Sequence, residues 1–407
     1  MQDSEAAEVT VDTKQTRRPS VLIGVTGSVG LPELQQRMQE AEAALDANVV
    51  VAYPGTEEVS GQAEENTGVL FRNYSPPASD PESLPWTSAT AAQRALCSLA
   101  AELQVDVCVL LHSDLLLLRA DLLQLLIQPV LEKRCDLVLP VYTSRKFEGL
   151  LNHGVLAPIS RALYGLRVRY PLPQDFSCSD DMCVQLSEAT GTYDLNADGV
   201  LWPATIAAVN EKRVCQVNID VNHGRQTEGL ELRTALASLV GSAYADMERC
   251  AAFWQRVRST QATAMWGTIA KQADEADAID VKPMVESFLL GANNLQEVWG
   301  AVLPPVTLLE LRKLTRLEPE SFRLPDDLWV RIIYDFALAH RLRTISRSHL
   351  LGALTPLYLG WVASYVQEVS NVTPMAAEHR LEQLERAYEE NKPYLLRRWR
   401  WPDRFNP

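Results

Sequence analysis

Val105-Asp106-Val107-Cys108-Val109-Leu110-Leu111-His112-Ser113-Asp114 decides how this chain is read. An apolar run, interrupted once by Asp106, ends abruptly in three polar residues. A short continuous apolar run of this kind fits a strand buried on both faces, as in a parallel sheet. Similar runs lie upstream at Val21 to Val25 and at Asn48 to Ala52. A helical pattern from Pro32 to about Ala47 separates them, and proline suits a first helical turn because its missing N–H has no partner there. Residues 54–86 are rich in Gly, Pro, Ser and Glu and read as one long loop. Helical patterns at Thr87 to Leu103 and Ala120 to Glu132 flank the opening strand, and Cys135 to Val141 reads as the next one. Residues 142–177 form a basic stretch with Gly and Pro punctuation. A helix over 199–214 then precedes a strand from Val214 to Val221, which ends at Asn222-His223-Gly224. Alternating strands and helices predict a mostly parallel α/β sheet. From Leu230 the pattern is helical almost to the end, so composition changes between 225 and 280.

The 407 residues suit two domains, with 47% apolar and 22% charged residues. The net charge of −14 opposes a general nucleic-acid or membrane-surface binder, which needs a basic field. The cluster Arg397-Arg398-Trp399-Arg400 reads as a solvated helix end. No apolar run approaches the roughly 20 residues that span a bilayer. The polar N-terminus has no apolar secretory core. The seven cysteines show no CxxC spacing, and several sit inside apolar runs. Buried reduced thiols and a cytoplasmic location are therefore expected. Cys178 and Cys183 have no second pair to complete a zinc set.

Three candidates for chemistry follow from position. Asp114 lies just past the carboxyl end of an apolar strand, where ligands of open parallel sheets gather. A carboxylate there suits Mg²⁺ or Mn²⁺; the competing reading is a helix cap. His223 also follows an apolar strand and is either a ligand or a structural histidine. Lys146, next to Arg145 and followed by Arg161, Arg167 and Arg169, offers cations to phosphate oxygens, or forms a solvated loop. Tyr53, at the exit of the second strand, is a candidate for stacking on a base. Gly24, Gly27 and Gly30 are spaced GxxGxxG, not GxGxxG, and do not make a dinucleotide fingerprint.

Taken together, four stretches resemble the retaining, metal-dependent GT-A glycosyltransferases that make glucosylglycerate, glucosyl-3-phosphoglycerate or mannosylglycerate. They are Val107–Leu118; Asp136–Tyr142 continuing to Lys146-Phe147-Glu148-Gly149 and Arg161–Gly165; Cys215–Ile219 with His223; and a helical part. The helical part comprises Phe322–Pro325 with Trp329, Ile333–Phe336, Thr355–Gly360 and Lys392–Leu395. The resemblance implies an α/β GT-A fold, Rossmann-like, with a mostly parallel sheet flanked by helices and a helical C-terminal domain. It implies a disordered tail over 1–19, a nucleotide-sugar-binding catalytic domain over 20–228 and a helical domain over 229–407. Asp114 matches the last Asp of the family's DxD and His223 its metal-binding His, with His112 at the first DxD position. Lys146 and Arg145 fall in its basic donor loop. Asp175 or Asp198 would orient the acceptor. The family implies a UDP- or GDP-hexose donor, Mg²⁺ or Mn²⁺, and a small hydroxy-acid acceptor. A homodimer through the apolar C-terminal helices is a further expected partner.

The chain departs from the family at several points. His112 replaces an Asp, Tyr53-Pro54-Gly55-Thr56 replaces an acidic Gly-rich loop, and Leu84-Pro85-Trp86-Thr87 replaces a Lys-bearing turn. Pro173-Gln174-Asp175 keeps an acid and loses two glycines, and Val200 stands where an acid is expected. The alternative is therefore a catalytically degenerate relative that acts as a binding or regulatory subunit.

Overall fold

The computed structural model describes residues 17–42, 45–55, 69–75, 85–191, 200–221, 232–268 and 279–403. Apolar runs form the strands: β1 (Ser20–Val25), β2 (Asn48–Pro54), β3 (Val69–Tyr74), β4 (Val107–Leu111), β5 (Leu137–Val141), β6 (Leu166–Arg167), β7 (Phe176–Ser179), β8 (Val214–Asn218), β9 (Gln261–Ala262) and β10 (Ala264–Trp266). Eight of them make one sheet in the order β10-β8-β5-β7-β4-β1-β2-β3, and β6 and β9 pair separately. All pairs in the large sheet are parallel except those of β7, which runs antiparallel between β4 and β5. β4 and β5 are buried at every position, the condition for a strand covered on both faces. The expected mostly parallel sheet flanked by helices, followed by a helical region, is the observed architecture.

Helices α1 (Leu31–Glu42), α2 (Pro85–Leu103), α3 (Ala120–Leu131), α4 (Ala157–Tyr164), α5 (Asp180–Gly191) and α6 (Pro203–Val209) belong to the sheet part. A single π-helical turn, Asn152–Leu156, runs directly into α4. The helical part comprises α7 (Leu232–Arg249), α8 (Ala251–Trp254), α9 (Lys282–Asn294), α10 (Gln296–Val302), α11 (Pro305–Leu314), α12 (Asp326–Leu342), α13 (Arg347–Val369), α14 (Pro374–Glu390) and α15 (Lys392–Arg400). One hydrophobic cluster joins α4 of the sheet part to α7 and to α12 through α15. Trp299, Trp329, Phe336, Tyr358, Trp361 and Tyr365 are all buried in it.

Four expectations differ from the structure. The stretch read as helical from Leu230 contains β9 and β10, and β10 pairs with β8 in the large sheet. Arg398 and Trp399, read as part of a solvated helix end, are buried, with Arg398 paired to the buried Asp335. The stretch read as one loop over 54–86 contains β3, an edge strand of which only the two end residues are buried. It pairs with β2 alone, so its sequence shows no buried run. The basic stretch over 142–177 contains the π turn, α4, β6 and the start of β7. The cysteines among the described residues are free thiols; Cys97, Cys108, Cys178 and Cys183 share one core cluster. No helix among the described residues is long and apolar enough to cross a membrane.

Candidate active site at the carboxyl edge of the sheet

The parallel strands end at one edge. β1 is flanked by β2 on one side and β4 on the other. The chain therefore leaves β1 in one direction for β2 and β3, and returns to its other side for β4. The crevice between the ends of β1 and β4 is a topological switch point, where ligands of open α/β sheets bind. Thr26 continues the pairing past β1: its N–H and its hydroxyl both donate to the Leu111 carbonyl, at 2.9 and 3.1 Å. Gly27 then passes so close to Ser113 that a Cβ would lie 2.7 Å from the Ser113 Cβ. Gly24 packs in the same way on Leu96. These two glycines serve close approach of backbone to side chain.

His112 and Asp114 stand at this crevice. The His112 Nδ1 lies 3.4 Å from the Asp114 Oδ2 and 3.4 Å from the Asp114 backbone N. The Asp114 Oδ1 accepts the Leu116 N–H at 3.2 Å. Hydrogen bonding to Asp114 raises the His112 pKa, and burial opposes it. Both side chains are about one third exposed, so ligand can reach them. Leu115, just after Asp114, is a buried non-glycine residue at φ 55°. Such left-handed backbone costs of order 1–3 kcal/mol and collects at functional sites. The turn is held by the Leu115 N–H to the His112 carbonyl at 3.1 Å and by Arg37 Nη1 to the Leu115 carbonyl at 3.2 Å.

Asp175 reaches the same edge because β7 runs antiparallel, so its first residues lie where the parallel strands end. Asp175 is 3% exposed. Its Oδ1 accepts the His112 backbone N–H at 2.6 Å, and its Oδ2 accepts the Tyr142 hydroxyl. Burial and the neighbouring Asp175 charge push the Tyr142 pKa well up, so the phenol stays a donor. Tyr142 was missed as a site residue from sequence. The signal was present: a tyrosine one residue past an apolar strand, at the same edge as Asp114.

The remaining candidates are placed as follows. Tyr53 is buried in the core next to the edge, and its hydroxyl has no hydrogen-bond partner among the described residues. Lys146 donates from Nζ to the carbonyls of Val369, Ser370 and Val372 at 3.2, 2.9 and 3.4 Å. It thereby closes the carboxyl end of α13, where a cation also meets the helix dipole. The Arg145 backbone N–H donates to Glu148 Oε2 at 2.9 Å. Arg161, Arg167 and Arg169, read as possible phosphate contacts, pair with Glu385 and Glu389, Glu382, and Glu378 respectively. Asp198 and His223 lie outside the described residues.

The fit to a divalent cation rests on Asp114 and His112. The Asp114 carboxylate is the ligand type that Mg²⁺ and Mn²⁺ sites combine with substrate phosphates, and the His112 imidazole is a nitrogen donor beside it. Among the described residues no group of three or more His, Cys, Asp or Glu side chains is placed to hold a metal.

No family model matches the chain, and no curated protein matches it. Solved structures do. Glucosyl-3-phosphoglycerate synthase from Mycobacterium tuberculosis, in complex with Mn²⁺, uridine diphosphate and glucosyl-3-phosphoglycerate, is 16% identical, with a TM-score of 0.38 over 57% of this chain and 80% of that one. The same enzyme in complex with phosphoglyceric acid gives 16% identity and a TM-score of 0.37 over the same shares.

Proposed function

We propose that this protein is a metal-dependent, retaining glycosyltransferase that moves a hexose from a UDP- or GDP-sugar to a small hydroxy acid of the glycerate or 3-phosphoglycerate type. One observation carries the reading: Asp114, beside His112, stands at the exit of β4 in the switch-point crevice, directly after Ser113, which packs against Gly27. Asp114 and His112, with His223, would hold Mg²⁺ or Mn²⁺. The ion supplies charge neutralisation for a leaving diphosphate. The backbone of Thr26 and Gly27 lines the crevice, and the absent side chain of Gly27 lets the two turns close on each other. Tyr53 offers a buried hydroxyl at the next strand end. Asp175 acts through His112 and Tyr142: it fixes the backbone of the turn that presents Asp114, a positioning role. Asp198 would orient the acceptor hydroxyl. The protein acts in the cytoplasm, and a homodimer through the helical part belongs to the same proposal.

The test is thermal stability with and without Mn²⁺ across a panel of UDP- and GDP-sugars. A ligand bound only by the folded state stabilises it by about 2.7 kcal/mol at a hundredfold excess over Kd. A metal-dependent rise with one nucleotide, lost in Asp114→Ala, is the expected result. A second reading, a non-catalytic binding protein, is favoured by the engagement of Lys146 and the three arginines with groups of the chain itself. A flat panel sinks the transferase and leaves that second reading.

A further inference from the structure

Between the sheet and α14 lies a cavity of about 260 Å³. Gln216 of β8 and residues 167–169 line one side, and the acidic face of α14 lines the other. Arg167 and Arg169 meet Glu378, Glu382 and Glu385 across it. Each charge is already matched: Arg169 with Glu378, Arg167 with Glu382, and Glu385 with Arg161 at 2.7 Å. These groups keep further donor and acceptor sites after pairing. Gln216 uses both of its N–H donors and one acceptor site: it accepts the Arg169 N–H at 2.7 Å and donates to the Arg167 carbonyl and the Thr263 hydroxyl.

His153 is different. It lines the cavity and is 6% exposed. Its ring meets the edge of Tyr170 at 5.7 Å, and its nitrogens hydrogen-bond to no described residue. Its nitrogens are therefore open to whatever fills the cavity. His153 sits in the π turn Asn152–Leu156, and π turns recur at functional sites. The Gly154 carbonyl accepts Trp329 Nε1 at 3.0 Å and the Tyr388 hydroxyl at 2.9 Å. Gly154 itself lies against the Trp361 ring, where a Cβ would come within 2.4 Å.

We propose that this cavity is a second binding site, separate from the β4 exit, for a neutral, hydroxyl-rich molecule of about monosaccharide size. The volume lies just below the roughly 300–1,000 Å³ of pockets that take drug-sized ligands. The lining sets three carboxylates against two guanidinium groups that are already paired, so a phosphate would meet acids and an amine would meet arginines. A hydroxyl both donates and accepts, and so suits a carboxylate, a guanidinium and an imidazole side by side. Burial and the nearby Arg169 push His153 down to about 3, which keeps the ring neutral with one donor and one acceptor. Leu381 and Met265 supply apolar wall for the C–H face of a sugar ring. The Tyr142 and Tyr170 rings, in edge contact at 5.8 Å, stand between His153 and Asp175. The inference does not rest on the transferase reading.

Titration calorimetry on the full chain, without nucleotide or metal, tests it. Glucose, galactose and glycerol are compared with gluconate and glucosamine as charged counterparts. Saturable binding of a neutral sugar or polyol is expected. Ala262→Trp, at an exposed position of the lining, and His153→Leu should each weaken it about tenfold or more. Asp114→Asn should leave it unchanged. The proposal is overturned if no neutral compound binds, if gluconate or glucosamine binds better, or if Ala262→Trp binds as wild type does. It is equally overturned if Asp114→Asn abolishes binding, which would put the sugar at the β4 exit. Ala262→Trp decides the matter if His153→Leu fails to fold.

Discussion

Asp175 is a buried carboxylate whose two oxygens take hydrogen bonds from different elements, the His112 backbone and the Tyr142 hydroxyl. Asp175→Asn keeps the shape and turns one acceptor into a donor. One of the two donors then faces an N–H₂ group, which costs about 1–3 kcal/mol. The expected result is a lower melting temperature together with weaker Mn²⁺-dependent nucleotide binding, because the turn carrying Asp114 loosens. Tyr142→Phe should reproduce a milder form of both effects; nucleotide binding unchanged in both variants would remove Asp175 from the site. At this scale the sequence was informative about Asp114, which a strand exit marks by local pattern. For Tyr142 the strand exit was equally visible, but its partner Asp175, 33 residues away, was not.

Lys146 belongs to the scale of elements. Its ammonium bonds carbonyls at the end of α13, more than 220 residues further along the chain. Lys146→Ala leaves those carbonyls without their charged donor and should cost about 1–3 kcal/mol. If that is its whole role, chemical denaturation will show the loss while nucleotide affinity stays level. A fall in affinity at unchanged stability would return Lys146 to the donor site. The π turn makes a second prediction. Gly154→Ala forces a Cβ into the Trp361 ring, and overpacking of this kind costs about 1–3 kcal/mol or more. Near-ultraviolet circular dichroism should report the disturbed Trp329–Trp361 stack, whose centroids are 5.7 Å apart. The glutamates of α14 recur at spacings of four, three and four, so a single face was legible in the sequence. That the face meets Arg161, Arg167 and Arg169 was not. A helix period shows which residues share a face and says nothing of what that face touches.

At the scale of the whole molecule, acid sensitivity follows from two buried histidines. His340 is 1% exposed, beside the Tyr244 ring, and neither ring nitrogen has a hydrogen-bond partner among the described residues. Burial, with Arg347 and Arg343 nearby, pushes it down to about 4; burial and Arg169 push His153 to about 3. The ordinary value is about 6.5. Between those values the unfolded chain binds more protons than the folded one, so stability rises with pH and is lost as pH falls from about 6.5 toward 4. For His340 alone the loss approaches roughly 3 kcal/mol. His340→Phe should flatten part of the pH dependence of the denaturation midpoint. An unchanged slope between pH 6.5 and 4 would show that other groups govern acid unfolding.

The sequence by itself determined the alternation of buried strands with helices, the positions where β1, β4 and β5 stop, and the change to a mostly helical C-terminal part. These rest on local apolar period and on polar punctuation, both visible within a dozen residues. Only the tertiary structure decided that β7 inserts antiparallel between β4 and β5 and so brings Asp175 to His112. It alone assigned Lys146 to a helix end and the arginines to an acidic stripe, and it alone revealed β3 as an edge strand inside an apparent loop. Those outcomes depend on which distant segments pair. Local pattern does not carry that choice, because strand direction, charge partners and edge positions are set by the packing of the whole chain.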